Sequence, residues 1–294
     1  MTTNLGLYKE PWKEEELCFT VLQHAIKAML YEASTHPSPG LVSPKSCGAH
    51  KDMVYYDFLD SSAALIHPLY CCAKEGIETE DKKRLFSKLR GIGIAGEKRM
   101  FEATGGVNTH KGMLFLMGIS IAASAYCIYR NISFINLSNI IAEMTEGLVR
   151  EELEKSTIKN EALSHGEYLF SLYKTTGIRG EVERGMPTVF EEALPFYESM
   201  AQLSREERLV QTLLKLMSIS EDSNVLYRRG PEGLNYVRAS AEGALKLGGI
   251  TTSEGRKYIA YMENSFKEKN ISPGGSADLL AVTLFFSEIK TMFR

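Results

Sequence analysis

Five short stretches of this chain combine glycine with charged and hydroxyl side chains, the composition of a loop that grips an anion or a metal ion. The first, Ser34 to Asp52, ends in Gly48-Ala49-His50-Lys51-Asp52-Met53 and so gathers a base, a cation and a carboxylate. Taken alone, such a charged run is more often a solvated loop. The second, Gly105-Gly106-Val107-Asn108-Thr109-His110-Lys111-Gly112, feeds an apolar helix from Met113. Glycines before a helix let successive N–H groups turn toward an anion, and the helix N-terminus adds partial positive charge. Lys111 adds a full charge. The spacing is not GxxxxGK[ST], and a tight helix start capped by Thr109 competes with the phosphate reading, which the glycines and Lys111 favour.

The third stretch, Thr176 to Gly185, alternates Arg179 and Arg184 with Glu181 and Glu183. Its guanidinium forks suit phosphate oxygens, or the acids and bases pair with one another. The fourth is Ser220-Glu221-Asp222-Ser223-Asn224, followed by Arg228-Arg229-Gly230. Asp and Asn two apart share a hard cation or, more commonly, cap a helix. The fifth, Ser272-Pro273-Gly274-Gly275-Ser276-Ala277-Asp278, again places two glycines before a helix. Asp278 in its first turn suits the helix dipole but repels a bare phosphate, so a triphosphate there calls for Mg²⁺ between them. Glu32 joins these candidates because it lies on the apolar face of its helix, within about 20° of Val21 at 3.6 residues per turn. It is either buried with a partner or lines a cleft.

The elements that must position these loops are helices. Leu17, Val21, Ala25, Ala28 and Met29 form one apolar stripe, expected to end at Glu32. Ser204 with Glu207 makes a capping box ahead of Leu209, Leu213, Leu216 and Met217. Pro231 suits a first helical turn that Gly248-Gly249 ends, Thr251 with Glu254 repeats the capping spacing, and Ser276 is placed to cap the last helix. Strand character is confined to Asn131–Ile135, too short to anchor a sheet. The expectation is an all-α fold, a compact multi-helix bundle forming one domain over residues 1–294, with function in the joints.

Composition narrows the partners. A net charge of −3 and a pI of about 6.1 do not call for nucleic acid or an anionic membrane. Met1 to Glu16, with Lys9, Glu10 and Lys13, has no apolar run of a secretory signal. The stretch Met113 to Tyr129 is interrupted by Gly118, Ser120 and Ser124 and reads as a buried core helix. Five cysteines without CxxC point to a reducing, cytoplasmic setting. His67 with Cys71 and Cys72 offers too few ligands for structural zinc, and small buried thiols are the better reading.

Taken together, the same segments resemble the triphosphoribosyl-dephospho-CoA synthase family of the CitG type, with its malonate-decarboxylase counterparts of the MdcB type. The resemblance rests on Tyr31-Glu32-Ala33-Ser34 with Pro37, Pro39-Gly40-Leu41-Val42, Gly48 to Met53, Gly106 to Gly112, Gly180-Glu181, Asp222-Ser223-Asn224 and Asn270 to Leu280. These occur in consistent order from about Leu17 to Phe286. Small departures are Pro44-Lys45-Ser46-Cys47 where more Asn or Asp is expected, Ser223 for Thr and Met186 for Phe.

The resemblance implies transfer of the 5-triphosphoribosyl unit of ATP to the ribose 2′-hydroxyl of 3′-dephospho-CoA, with release of adenine. The product is the precursor of the prosthetic group on the acyl-carrier subunit of citrate lyase. Such chemistry at C1′ needs a base for the hydroxyl, stabilisation of positive charge on the ribose, and a grip on a triphosphate that is retained. The expected metal ligands for Mg²⁺ are Glu32, Asp52, Asp222 and Asp278. The expected phosphate-binding set is Gly105, Gly106, Asn108, Thr109, His110, Lys111, Arg179, Gly274, Gly275 and Ser276. Glu181 or His50 is the expected base, with Asp52 beside it in the catalytic set. Two rivals use the same residues: an all-α, metal-dependent nucleotide phosphohydrolase, and a non-enzymatic adaptor that binds the carrier protein.

Overall fold

The computed structural model describes residues 12–154 and 163–293. Lys9, Glu10 and the rest of residues 1–11 lie outside the described residues, so the expectation for that stretch is not addressed by the fold. Among the described residues there are thirteen α-helices and no strand beyond an isolated Ser43–Ser46 bridge, so the chain is all-α as expected.

Two helices form the centre. α5 (Lys111–Tyr129) and α13 (Gly274–Ile289) are apolar on nearly every face, the pattern of helices enclosed on all sides. By length and hydropathy α5 meets the requirements of a membrane span, but 83% of its apolar window is buried within the fold. Around this pair pack α1 (Glu14–Ser34), α3 (Ile66–Glu78), α4 (Lys82–Ala103) and α10 (Arg205–Ile219). The expected α1 stripe is buried throughout, and the helix continues past Glu32 to Ser34. α2 (Tyr55–Ala64) lies on α4 and α1, and α6 (Leu137–Thr145) lies on α4, α5 and α8 (Gly177–Glu183). The remaining helices are α7 (His165–Tyr173), α9 (Leu194–Ser199), α11 (Ser223–Lys246) and α12 (Ser253–Glu268).

Local signals set the helix ends. Ser204 and Glu207 form the expected capping box on α10. The cap of α12 is Thr252, whose Oγ1 accepts from Gly255 N–H, one residue beyond the expected Thr251. α11 bends at Gly230 (φ 63°), so Pro231 opens its second half as the sequence suggests. Asn131–Ile135 is not extended: Asn131 is left-handed (φ 56°) after α5, and Phe134–Asn136 is a short 3₁₀ turn. Cys72 packs inside on Gly118, and Cys71 stays 3.9 Å from the His67 ring, with no metal-binding group of three or more among the described residues.

Close packing of α3 on α5 depends on small side chains. A Cβ on Gly76 would fall 2.3 Å from the Ala122 carbonyl oxygen. That backbone cannot move without separating the two helices. Gly76→Ala is therefore expected to destabilise the protein by about 1–3 kcal/mol, read as a lower midpoint in chemical denaturation; an unchanged midpoint would show that the interface yields freely.

Candidate active site

A cleft of about 990 Å³ opens between the joints, lined by parts of all five glycine-rich stretches, the middle of α4 and the start of α7. It reaches Glu32, His50, Asp52, Asn108, Thr109, His110, Lys111, Gly112, Arg179, Gly274, Gly275 and Asp278. Gly105, Gly106, Asp222, Glu181 and Ser276 do not line it.

Each of these five is engaged elsewhere for a physical reason. Gly105 and Gly106 (φ 63° and 95°) end α4, with Gly106 N–H donating to the Phe101 carbonyl. Asp222 is the cap of α11. Its Oδ1 accepts from Asn224 and Val225 N–H at 3.0 and 3.2 Å, and its Oδ2 accepts from Ser276 N–H and Oγ at 2.8 and 3.0 Å. Both oxygens are thus engaged, and Asp222 is 2% exposed. Ser276 caps nothing; its Oγ bonds Asp222 and Ser220. Glu181 accepts from Thr188 N–H and Oγ1 at 2.8 and 3.0 Å, bracing α8 to the turn that follows. Burial raises the Asp222 and Glu181 carboxyls despite these bonds.

Glu32 and Asp278 present the opposite case. Neither accepts a hydrogen bond or forms an ion pair with any described residue, yet both reach the cleft. Burial pushes the Glu32 carboxyl up to about 8. Asp278 rises well above the usual carboxylate range through burial first, then the neighbouring charges of Glu32 and Asp222. Asp278 also lies against the first turn of α5, where a Cβ on Gly112 would fall 2.2 Å from its Oδ2.

His50 donates from Nε2 to Ser272 Oγ at 2.8 Å, because its Nδ1 faces the Arg228 guanidinium at 3.4 Å and a guanidinium can only donate. Gly40 makes this meeting possible: at φ 79° its backbone runs against the Ile271 carbonyl, bringing the first joint onto the fifth. Burial and then Arg228 lower the His50 pKa, and both ring nitrogens are engaged. Asp52 is 3.6 Å from Nδ1, beyond hydrogen-bond reach, and its carboxylate is 67% exposed. His110 is buried, with Nδ1 on Ser61 Oγ at 2.7 Å and Nε2 unpartnered; burial lowers it to about 4. Thr109 Oγ1 is likewise enclosed without a partner, and Asn108 rather than Thr109 supplies the side-chain acceptor for Lys111 N–H.

Several cleft residues escape the sequence reading. Arg90 of α4 and Arg179 both bind Glu152, at 2.5 and 2.6 Å, and Lys111 pairs with Glu97 at 3.0 Å. His165 and Tyr227 stack beside them. The only hint in the sequence is Gly91 and Gly93 just after Arg90, on the cleft-facing part of a charged helix.

Two outcomes follow for these carboxyls. Asp222→Asn places an amide against four donors and is expected to cost about 1–3 kcal/mol of stability; retained stability with weakened metal binding would instead make it a ligand. Glu32 holds its proton more tightly when folded than at the ordinary 4.5. Stability of the metal-free protein therefore declines as pH rises from 4.5 toward about 8. Glu32→Gln should make that decline shallower in denaturation curves across the same range, and an identical slope would contradict the buried, unpaired carboxyl.

No solved structure matches the chain. Three relatives do. A protein of Malonomonas rubra named "Probable 2-(5''-triphosphoribosyl)-3'-dephosphocoenzyme-A synthase" is 41% identical over 264 residues, covering 88% of this chain and 84% of its own. One of the same name from Lactiplantibacillus plantarum is 36% identical over 269 residues, covering 90% and 95%. "Protein CitXG" of Leuconostoc mesenteroides subsp. cremoris is 39% identical over 276 residues, 92% of this chain; the chain spans only 59% of that longer relative. The CitG family, described as ATP:dephospho-CoA triphosphoribosyl transferase, matches residues 18–294, and the chain belongs to that transferase family.

Proposed function

We propose that the protein transfers the 5-triphosphoribosyl group of ATP to the ribose 2′-hydroxyl of 3′-dephospho-CoA and releases adenine. On this reading it makes the prosthetic-group precursor for the acyl-carrier subunit of citrate lyase and works in the cytoplasm, where its five free cysteines stay reduced. Family membership supports the reaction. The observation that carries the site assignment is the pair Glu32 and Asp278, two carboxyls facing the cleft with no donor or cation of the protein beside them.

Mg²⁺ fits this pair. It is usually held by one or two carboxylates with substrate phosphates rather than by a cage of protein ligands, so a group of three or more is not required. Glu32 and Asp278 would hold it, and its charge would screen the triphosphate from both. Asp222 leaves the expected ligand set because its oxygens are already engaged. Around the pair, Lys111, Arg179, Asn108 and the first turn of α13 at Gly274-Gly275 hold the triphosphate. Of the expected bases, Glu181 faces away and both His50 nitrogens are occupied. Asp52, exposed at the cleft and free of hydrogen bonds to described residues, takes the proton of the attacking hydroxyl, and His50 orients its surroundings. The new C1′–O bond forms as the C1′–adenine bond breaks, and adenine leaves with a proton.

Chromatography of the protein with ATP, Mg²⁺ and 3′-dephospho-CoA is expected to show free adenine only when the acceptor is present. Asp278→Asn and Asp52→Asn should each lower turnover by about 10² or more, whereas Glu181→Gln should act mainly on stability. Inorganic phosphate in place of adenine would favour the phosphohydrolase reading.

A further inference from the structure

α11 begins with Asn224, Tyr227 and Arg228 facing the cleft together, as the i, i+3, i+4 spacing requires. Tyr227 stacks on His165 with ring centroids 3.7 Å apart and planes 20° apart, and Tyr168 meets its edge at 6.0 Å. These rings are not a buried core: Tyr227 remains 46% exposed and Tyr168 44%. Packing α7 on α11 does not by itself require stacked aromatics left open to water. An open aromatic face is a platform for a planar base.

Arg228 lies beside this platform. Of the lysines and arginines lining the cleft, Arg90 and Arg179 share Glu152 and Lys111 holds Glu97. Of these four, Arg228 is the one with no carboxylate salt bridge among the described residues. Its guanidinium donates to Asn270 Oδ1 at 3.1 Å and to His50 Nδ1 at 3.4 Å, two neutral groups that orient the fork and leave its charge uncompensated. A fixed, unneutralised guanidinium suits a phosphate.

We infer that Tyr227, stacked on His165, and Arg228 form one recognition site for an adenosine 5′-polyphosphate, the rings taking the purine and the guanidinium its phosphates. The inference rests on the proposed reaction, whose donor and acceptor both carry that chemistry, and assigns the site to one of the two.

Binary binding measures this without turnover. ATP with Mg²⁺, 3′-dephospho-CoA, and 4′-phosphopantetheine, which lacks the adenosine, are titrated separately by calorimetry. Tyr227→Ala and His165→Ala are expected to weaken one nucleotide by about 5- to 100-fold, with Tyr227→Phe within about 3-fold of the native chain. Arg228→Gln should weaken the same nucleotide, and 4′-phosphopantetheine should not respond to Tyr227→Ala. Loss confined to ATP makes this the donor site; loss confined to 3′-dephospho-CoA makes it the acceptor site. Unchanged affinities, equal losses for both nucleotides, or Arg228→Gln acting on the other nucleotide overturn the assignment. His165 is exposed at the start of α7, so His165→Ala decides the matter if Tyr227→Ala does not fold. Failure of the native protein to release adenine would bear on the reaction and leave these affinities to be read by themselves.

Discussion

Asp222 ties the N-termini of α11 and α13 to one buried carboxylate. Four donors from two helices converge on its oxygens, and each would be orphaned without it. The helices meet closely: a Cβ on Gly274 would fall 2.5 Å from Asn224 Nδ2 and one on Gly275 3.2 Å from the Asp222 carboxylate. This junction sets the register of Asn224, Tyr227 and Arg228 on one side and of Asp278 on the other. The loop ahead of α13 then presents Ser272 to His50, and His50 presents its Nδ1 to Arg228. One capping interaction thus fixes the relative positions of three of the five polar joints.

Glu32 is also a buried carboxyl and Asp278 a half-buried one, but nothing in the fold compensates their charge. Burying an ionised carboxylate without donors is costly, so the proton is retained to higher pH. A sequence selected for stability alone would place an apolar side chain at position 32, in line with Val21, Ala25 and Met29. The carboxyl instead interrupts the stripe where α1 meets the cleft, a departure from local consistency of the kind found at functional sites. The contrast with Asp222 shows that enclosure by itself does not mark a ligand. What separates the two cases is whether the protein's own donors already occupy the oxygens.

The helices were legible because their signals are local. The α1 stripe, the Ser204 capping box and the enclosed α5 each follow from spacing within one element. Glu32 was legible for the same reason, since its position on the apolar face follows from the helical period. Asp222, Ser276, Glu181 and the Gly105-Gly106 pair enter the expected site through their loops and the family resemblance, yet the same residue types cap helices and end them. Which use prevails depends on the direction of a side chain relative to a second helix, and spacing within one loop does not encode that. Arg90 and His165 show the converse: apart from the glycines after Arg90, nothing near them in sequence distinguishes them, and they join the cleft only because α4 and α7 pack along it.

The cleft's charge pattern explains how a chain of net charge −3 can suit a polyphosphate. Its cations are not gathered into a basic patch. Arg90, Arg179 and Lys111 are each held by a glutamate, which fixes their geometry and lowers their net charge, while Glu32 and Asp278 remain uncompensated. Under the proposed reaction the triphosphate is never the leaving group, so it is bound alike before and after transfer. A grip equally strong in substrate and product would slow release without accelerating the step at C1′. Pairing most phosphate-facing cations with carboxylates moderates that uniform grip. The uncompensated groups are the two carboxyls that would hold Mg²⁺, so the metal rather than a surplus of basic side chains would balance the triphosphate.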